Sequence, residues 1–373
     1  MKVNLGKQML LLAFALVMAA CTVSPVSPDS DSEQPVTDGS IPEQAVIIAP
    51  SLTQFDMIDE NVGWGQAEGM ILRTEDGGAT WIDITPPDIF NNPAYAQSAF
   101  LDANTGWVLI EDVDGPMVGT IFRTIDGGET WRWRNTPFGR SDIGFVDSEN
   151  GYALTGLGAG AGSMGVALWQ TINGGGDWNR TFIHQPGLDD SLPFSGIKNG
   201  IAFRDPLNGW VSGSVPRDGF AWLYRTRDGG FTWAHQALDF PAGFENAQTS
   251  VFTPIFFDEY TGALPVHLLS EDFAVGFYLT EDGGETWTMG LPVTMSGHYA
   301  IASPRDFWVW DGGAVIMVTD NGGGTWEFRA TDFEPSEKLR ALDFVSSTVG
   351  WVLTDGGFYS TKDGGKHWLL LGE

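Results

Sequence analysis

From about residue 45 onward, apolar positions come in short bursts of three to five residues, such as Met70-Ile71-Leu72 and Thr120-Ile121-Phe122. Gly or Pro punctuates nearly every stretch of about fifteen residues, which leaves little room for long helices. Short β-rich runs between tight turns predict many strands of a few residues each. Two stretches depart from this pattern. Residues 9–20 are an unbroken apolar run, and residues 22–44 contain Ser, Pro, Asp and Glu with almost nothing to bury.

The bursts recur with a fixed punctuation. Thr74-Glu-Asp-Gly-Gly-Ala-Thr-Trp81 is followed by copies at Thr124–Trp131, Thr171–Trp178, Thr226–Trp233, Thr280–Trp287, Thr319–Trp326 and Thr361–Trp368. The closing tryptophans Trp81, Trp131, Trp178, Trp233, Trp287, Trp326 and Trp368 are spaced by 50, 47, 55, 54, 39 and 42 residues. Upstream of each copy lies an Asp-x-x-x-Gly-Trp-like turn. Examples are Asp59…Gly63-Trp64, Asp102…Gly106-Trp107, Asp147…Gly151-Tyr152 and Asp205…Gly209-Trp210. The sixth copy departs, with Pro304-Arg305-Asp306-Phe307-Trp308 there. This period suits four short strands and their loops, one blade of a propeller. The expectation is an all-β, seven-bladed β-propeller over residues 45–373, with four antiparallel strands per blade. Residues 368–371 would supply the last outer strand, and residues 45–48 either an extra strand or a packed tail.

The chemistry of the repeated box is that of a turn. The Thr hydroxyl and the carboxylates of Asp76, Asp126, Asp228, Asp282 and Asp363 can accept backbone N–H groups. Paired glycines permit angles that a β-carbon blocks, and the Trp covers the hairpin and its neighbour. Asn173 and Asn321 replace the Asp in two copies. Asparagine keeps the acceptor but cannot serve as an acid or a nucleophile, so the boxes are read as structural, with calcium binding the alternative.

A Thr-x-Asp-Gly-Gly-x-Thr-Trp box paired with an upstream Phe-x-Asp-x-x-x-Gly-Trp resembles the Asp-box (BNR-like) propellers of the photosystem II stability/assembly factor family. The resemblance covers about residues 50–373. The box alone is shared more distantly with sialidases, sortilin-type receptors and xyloglucan hydrolases. The resemblance implies a propeller without enzymatic activity that binds a protein client during membrane-complex assembly.

At the N-terminus, Lys2 and Lys7 precede the apolar run, which ends in Met18-Ala-Ala-Cys21. This reads as a secretory signal over residues 1–20, and its end resembles the bacterial lipobox. Cys21 is the sole cysteine. It cannot form an internal disulfide, and lipidation accounts for its position. Residues 21–44 are then a disordered spacer, and the protein a lipid-anchored, extracytoplasmic component of a bacterial envelope. Removing residues 1–20 would shift the formal charge from −29 to −31. Such a field repels phosphate backbones, so nucleic acid is not an expected partner. A monomer that holds a protein client is expected, with a glycan as the other partner class. No cofactor is called for.

Candidate catalysis is sparse. The Arg-Ile-Pro element of sialidases is missing, and Arg73, Arg123 and Arg225 precede box threonines, where blade edges would hold them. Acidic pairs such as Asp189-Asp190 or Glu271-Asp272 are read as solvated loop acids. The histidines 184, 235, 267, 298 and 367 lack zinc spacing. Gly160–Gly165 fits a dinucleotide pattern formally, but no helix follows, and it is read as a glycine-rich loop interrupting a hairpin. No catalytic residue is assigned, and a carbohydrate-binding or glycosidase-like propeller is the alternative.

Recognition is expected opposite the signature turns, where the long segments are 82–97, 111–119, 156–166, 179–199, 213–220, 234–250 and 267–274, with the loop face of blades two to five as the expected binding site. Aromatics there include Phe90, Tyr95, Phe138, Phe182, Phe194, Phe240, Phe244, His298 and Tyr299. Arg204 and Arg340, placed on inner strands, are the basic candidates for the central channel.

Overall fold

A computed structural model describes residues 45–67, 69–86, 96–112, 115–185, 190–335 and 338–372. The signal, Cys21, the spacer, Phe90 and Tyr95 lie outside the described residues. Among the described residues there is no helix, only short antiparallel strands. They form seven four-stranded units, each one unbroken stretch of chain. Blade one runs Leu52–Met57, Gly63–Ala67, Met70–Thr74 and Trp81–Asp83 from its first strand to its last. Blade seven ends the series with Leu339–Phe344, Gly350–Thr354, Gly357–Thr361 and Leu369–Leu370. First strands of neighbouring units touch one another, which makes them the innermost.

Burial explains why the units stack. Seven hydrophobic clusters each join one unit to the next, and one of them joins blade seven to blade one. No blade has a core of its own; each face of a sheet is buried only by its neighbour. The Gly-Trp element makes these joints. Trp64 lies flat on Phe100 of the next blade at 4.3 Å, Trp107 on Phe145 at 3.6 Å and Trp308 on Phe344 at 3.9 Å. In blade one Met57 takes the Phe place, beneath Trp351 of blade seven. The preceding glycine is required by space. A β-carbon on Gly106 would lie 2.5 Å from the Phe100 ring of its own blade, and one on Gly209 would lie 2.6 Å from Phe203. These tryptophans also reach the next blade's box. The Trp107 indole N–H donates to Gly174 O at 2.8 Å, and that of Trp351 donates to Gly77 O at 2.8 Å.

Among the described residues the ring thus closes by side-chain packing, with no strand exchanged between the first and last blades. Leu369–Leu370 is blade seven's own outer strand. Val46–Ile47 pairs with Trp81 and Ile82 as a fifth strand on the outer edge of blade one. Of the two options for the start of the propeller, it is the extra strand that forms.

Several expected loops are strands. Gly151–Gly160 and Ser163–Thr171 form one long hairpin with a bulge between Gly156 and Gly158. The glycine-rich segment at its tip continues the hairpin instead of interrupting it, turning at Ala161 and Gly162 with φ of 49° and 74°. In blade two the third strand starts at Gly115, well inside the expected 111–119 loop. Blade five's inner strand is split into Gln248–Val251 and Ile255–Phe256, around Pro254. A Ser214–Ser250 pairing joins the sheets of blades four and five.

Candidate binding faces

Both signature turns of each blade sit on one face. The first box glycine donates its N–H to the upstream turn: Gly77 to Asn61 O at 2.8 Å, Gly127 to Asn104 O at 2.9 Å, and so on to Gly364 and Thr348 O at 2.8 Å. Both glycines of all seven boxes have φ between 68° and 92°. Within the first box the Thr74 hydroxyl donates to Asp76 and accepts the Gly78 N–H, each at 2.9 Å. Asp76 in turn accepts the Thr80 N–H at 2.8 Å and the Thr80 hydroxyl at 2.6 Å. Asp126, Asp228 and Asp282 repeat this pattern.

The exceptions are informative. Asn173 reverses the polarity, its amide donating to the Asp177 carboxylate at 2.8 Å where five other boxes have a Thr. Asn321 donates to the Thr325 hydroxyl at 2.8 Å, and Asp363 engages the His367 ring. Burial works against ionisation of Asp282, but hydrogen bonds from Thr286 and Thr280 outweigh it and bring its pKa down to about 2. These carboxylates are already occupied by the turn they brace.

The box tryptophans serve the same end. Trp81, Trp233 and Trp368 donate to carbonyls of their own boxes. Trp131 and Trp326 reach Ile84 O and Leu291 O of the preceding blade, each at 2.8 Å. Trp178 and Trp287 pack through their rings against Phe138 and Phe256.

On the opposite face, blades three to five are tied together. Backbone bridges link Ser163 with Gly196 and Phe220 with Gln248. The Lys198 ammonium is buried among five carbonyls, those of Met164, Pro193, Phe194, Ser195 and Gly196, at 2.8–3.2 Å. It also lies 4.8 Å from the Trp222 ring centre. Burial lowers its pKa to about 8, so it stays charged at neutral pH. Beside it, His184 Nδ1 accepts the Val166 N–H, which places the ring proton on Nε2 for Leu192 O. Burial holds this ring's pKa below the ordinary value. Neither group stood out in the sequence. A lysine between Ile197 and Asn199 carries no motif, and its carbonyl partners come together only in the fold.

Between these blades opens a cleft of ≈ 350 Å³, bounded by Ile197, Ser214, Gln248, Leu269 and Phe273 among others. Most expected ligand-binding aromatics are packed away from solvent. Phe138 and Phe182 are buried, and Phe244 is half-buried against the core between blades four and five. Phe182 cannot meet a ligand as placed; its ring contacts that of His184. His298 and Tyr299 lie half-buried on blade six's inner strand, with Tyr299 among Phe252, His267 and Phe277. Among the described residues of the expected set, Phe194 alone is well exposed, at 57%.

The two arginines also differ from expectation. Arg204 follows its inner strand, which ends at Phe203, and bonds to Asp205 and to Gly283 O at 2.6 Å, as an interblade latch. Arg340 is on an inner strand but is ion-paired with Asp355. Two inner strands also carry an acid opposite the Gly-Trp aromatic. The residue paired with the Gly-Trp aromatic is small in blades two, three, four and six: Ala99, Gly144, Ala202 and Ala300. In blades one and seven it is Asp56 and Asp343. Burial, and secondarily the Asp56 charge, push Asp343 up to about 6, and burial raises Asp56 as well.

Over most of its length this chain is similar to solved propellers. It is a β-propeller. Against a structure titled YCF48 bound to D1 peptide the TM-score is 0.55 at 15% identity, covering 87% of this chain and 98% of that one. YCF48 from Cyanidioschyzon merolae gives 0.54 at 18%, over 85% and 94%. The GH74 enzyme of Niastella koreensis gives 0.60 at 16%, over 86% of this chain but 54% of that one. A probable oligoxyloglucan-reducing end-specific xyloglucanase of Neosartorya fischeri is 30% identical over 103 residues, 26% of this chain and 13% of that protein. No family model matches the chain. The two kinds of neighbour share the fold, and the fold leaves scaffold and hydrolase both open.

Proposed function

We propose that this chain is a non-enzymatic scaffold, held to an extracytoplasmic membrane surface by lipid on Cys21, whose loop face on blades two to five grips a protein client. The supporting observation is the cleft on the loop face of blades three to five, whose walls are tied by interblade bonds, while the box carboxylates of the turn face are hydrogen-bonded within their own turns. The structural likeness to YCF48 bound to D1 peptide agrees with this reading. Pull-down from detergent-solubilised membranes tests it. One stoichiometric protein should be recovered, and recovery should stop when the loops of blades two to five are replaced by short turns. Cys21→Ser should move the chain from the membrane to the soluble fraction.

A second reading, glycoside hydrolysis, draws on the likeness to xyloglucan-cleaving proteins and on Asp343. A carboxyl with raised pKa beside a second carboxylate is the equipment of a general acid. Release of reducing ends from xyloglucan oligosaccharides by the wild type but not by Asp343→Asn would overturn the scaffold reading.

A further inference from the structure

We infer that the cleft shared by blades three, four and five takes an extended peptide segment in which an apolar side chain is flanked by Lys or Arg. This rests on the scaffold reading and gives it a site and a partner chemistry. A volume of ≈ 350 Å³ holds two or three side chains, not a folded domain. The apolar part of its wall is Ile197, Leu269 and Phe273. Leu269 is 54% exposed, an apolar side chain held in water with no neighbour to cover it. The polar part is Ser214, Gln248, Thr249, Ser250 and His267. The Thr249 hydroxyl donates to Phe220 O and the Gln248 amide to Asp218, which leaves their oxygens to accept from a peptide N–H.

The wall is pre-shaped. Lys198 gathers the carbonyls of residues 193–196 at the lip formed by Ile197, and the Phe220–Gln248 bridge fixes the opposite side. A rigid wall lowers the ordering cost of binding.

Charge selects the occupant. Exposed acids stand around the cleft: Asp218, which accepts from Gln248 at 2.9 Å, and Glu271 and Asp272 on the turn after Leu269. The nearby cations are Arg217, stacked 4.5 Å from the Phe220 ring centre, and Lys198, whose ammonium is buried among its five carbonyls instead of facing the cleft. In a chain of formal charge −29 this rim attracts a basic segment and repels an acidic one. A sugar is the weaker fit, because stacking needs an open ring face. The cleft's Phe273 instead contacts His267 at 4.9 Å and 62°, and His267 is edge-on to Phe252.

The test pans a random dodecapeptide display library on the full-length mature protein. Enriched sequences should carry Lys or Arg beside apolar residues. Their capture should fall at least tenfold on Leu269→Arg and on Asp272→Lys, both exposed positions, and stay unchanged on Phe328→Arg, an exposed residue of blade six's last strand. Met117→Arg, exposed on blade two, probes the rest of the loop face. Acidic enriched sequences, or capture indifferent to Leu269→Arg and Asp272→Lys, overturn the cleft. If Met117→Arg is then the variant that abolishes capture, the scaffold reading stands while the cleft falls. If no peptide enriches, the cleft falls, and retention of xyloglucan heptasaccharide on the same surface would take the scaffold reading with it.

Discussion

Asp343 should cost the fold stability at neutral pH, and Asp343→Asn should return it. Burial together with the Asp56 charge raises its pKa from an ordinary 3.8 to about 6. Below pH ~4 the carboxyl is protonated in both folded and unfolded chains and makes no difference. Between pH ~4 and ~6 the folded state retains a proton that the unfolded state has released. Stability therefore falls as pH rises through that window and is flat above it. Roughly two pK units at ~1.4 kcal/mol each set an upper bound of about 3 kcal/mol. Residual contact with water reduces this, so a gain of about 1–2 kcal/mol is expected for the variant at pH 7.5. Urea melts followed by tryptophan fluorescence, with the variant compared with wild type at pH 4.0 and 7.5, measure it. Equal midpoints at the lower pH and a higher midpoint for the variant at the upper one, with unchanged slope, are expected. A variant less stable than wild type at pH 7.5, or a difference that ignores pH, would refute the reasoning.

Three further outcomes follow from the joints of the ring. Thr74→Val removes the oxygen that accepts the buried Gly78 N–H and braces Asp76, and should cost about 1–3 kcal/mol in urea melts. Asn173→Asp sets a carboxylate against Asp177, so its melting temperature should drop at pH 7 and recover as pH falls below about 4. A box indifferent to this change would show that the amide donor is not needed. Lys198→Met leaves five carbonyls without their cation and should speed amide exchange at residues 194–197 by tenfold or more, with little change in blades six and seven.

The all-β propeller and its order of antiparallel strands were legible in the sequence because they rest on local spacing and turn chemistry. The length of the blade-three hairpin was not: Gly156, Gly158, Gly160 and Gly162 look like a loop, yet the first three are paired with strand partners across the turn. Nor could the sequence separate a stacked ring from a free one. Phe182 and Phe194 have similar local context, but only the fold puts His184 against both and leaves Phe194 with a face in solvent. Arg204 was misplaced because its partner, Gly283 O, lies 79 residues away in the next blade.

The short strand at Val46–Ile47 attaches the chain's N-terminal side to the outermost edge of blade one. Any leash entering there meets the disc at its circumference, far from the axis. Tension on such a leash would peel one marginal two-residue pairing before it strained any joint between blades. If lipid on Cys21 holds the chain as proposed, the load arrives at an edge pairing and the seven joints between blades are spared.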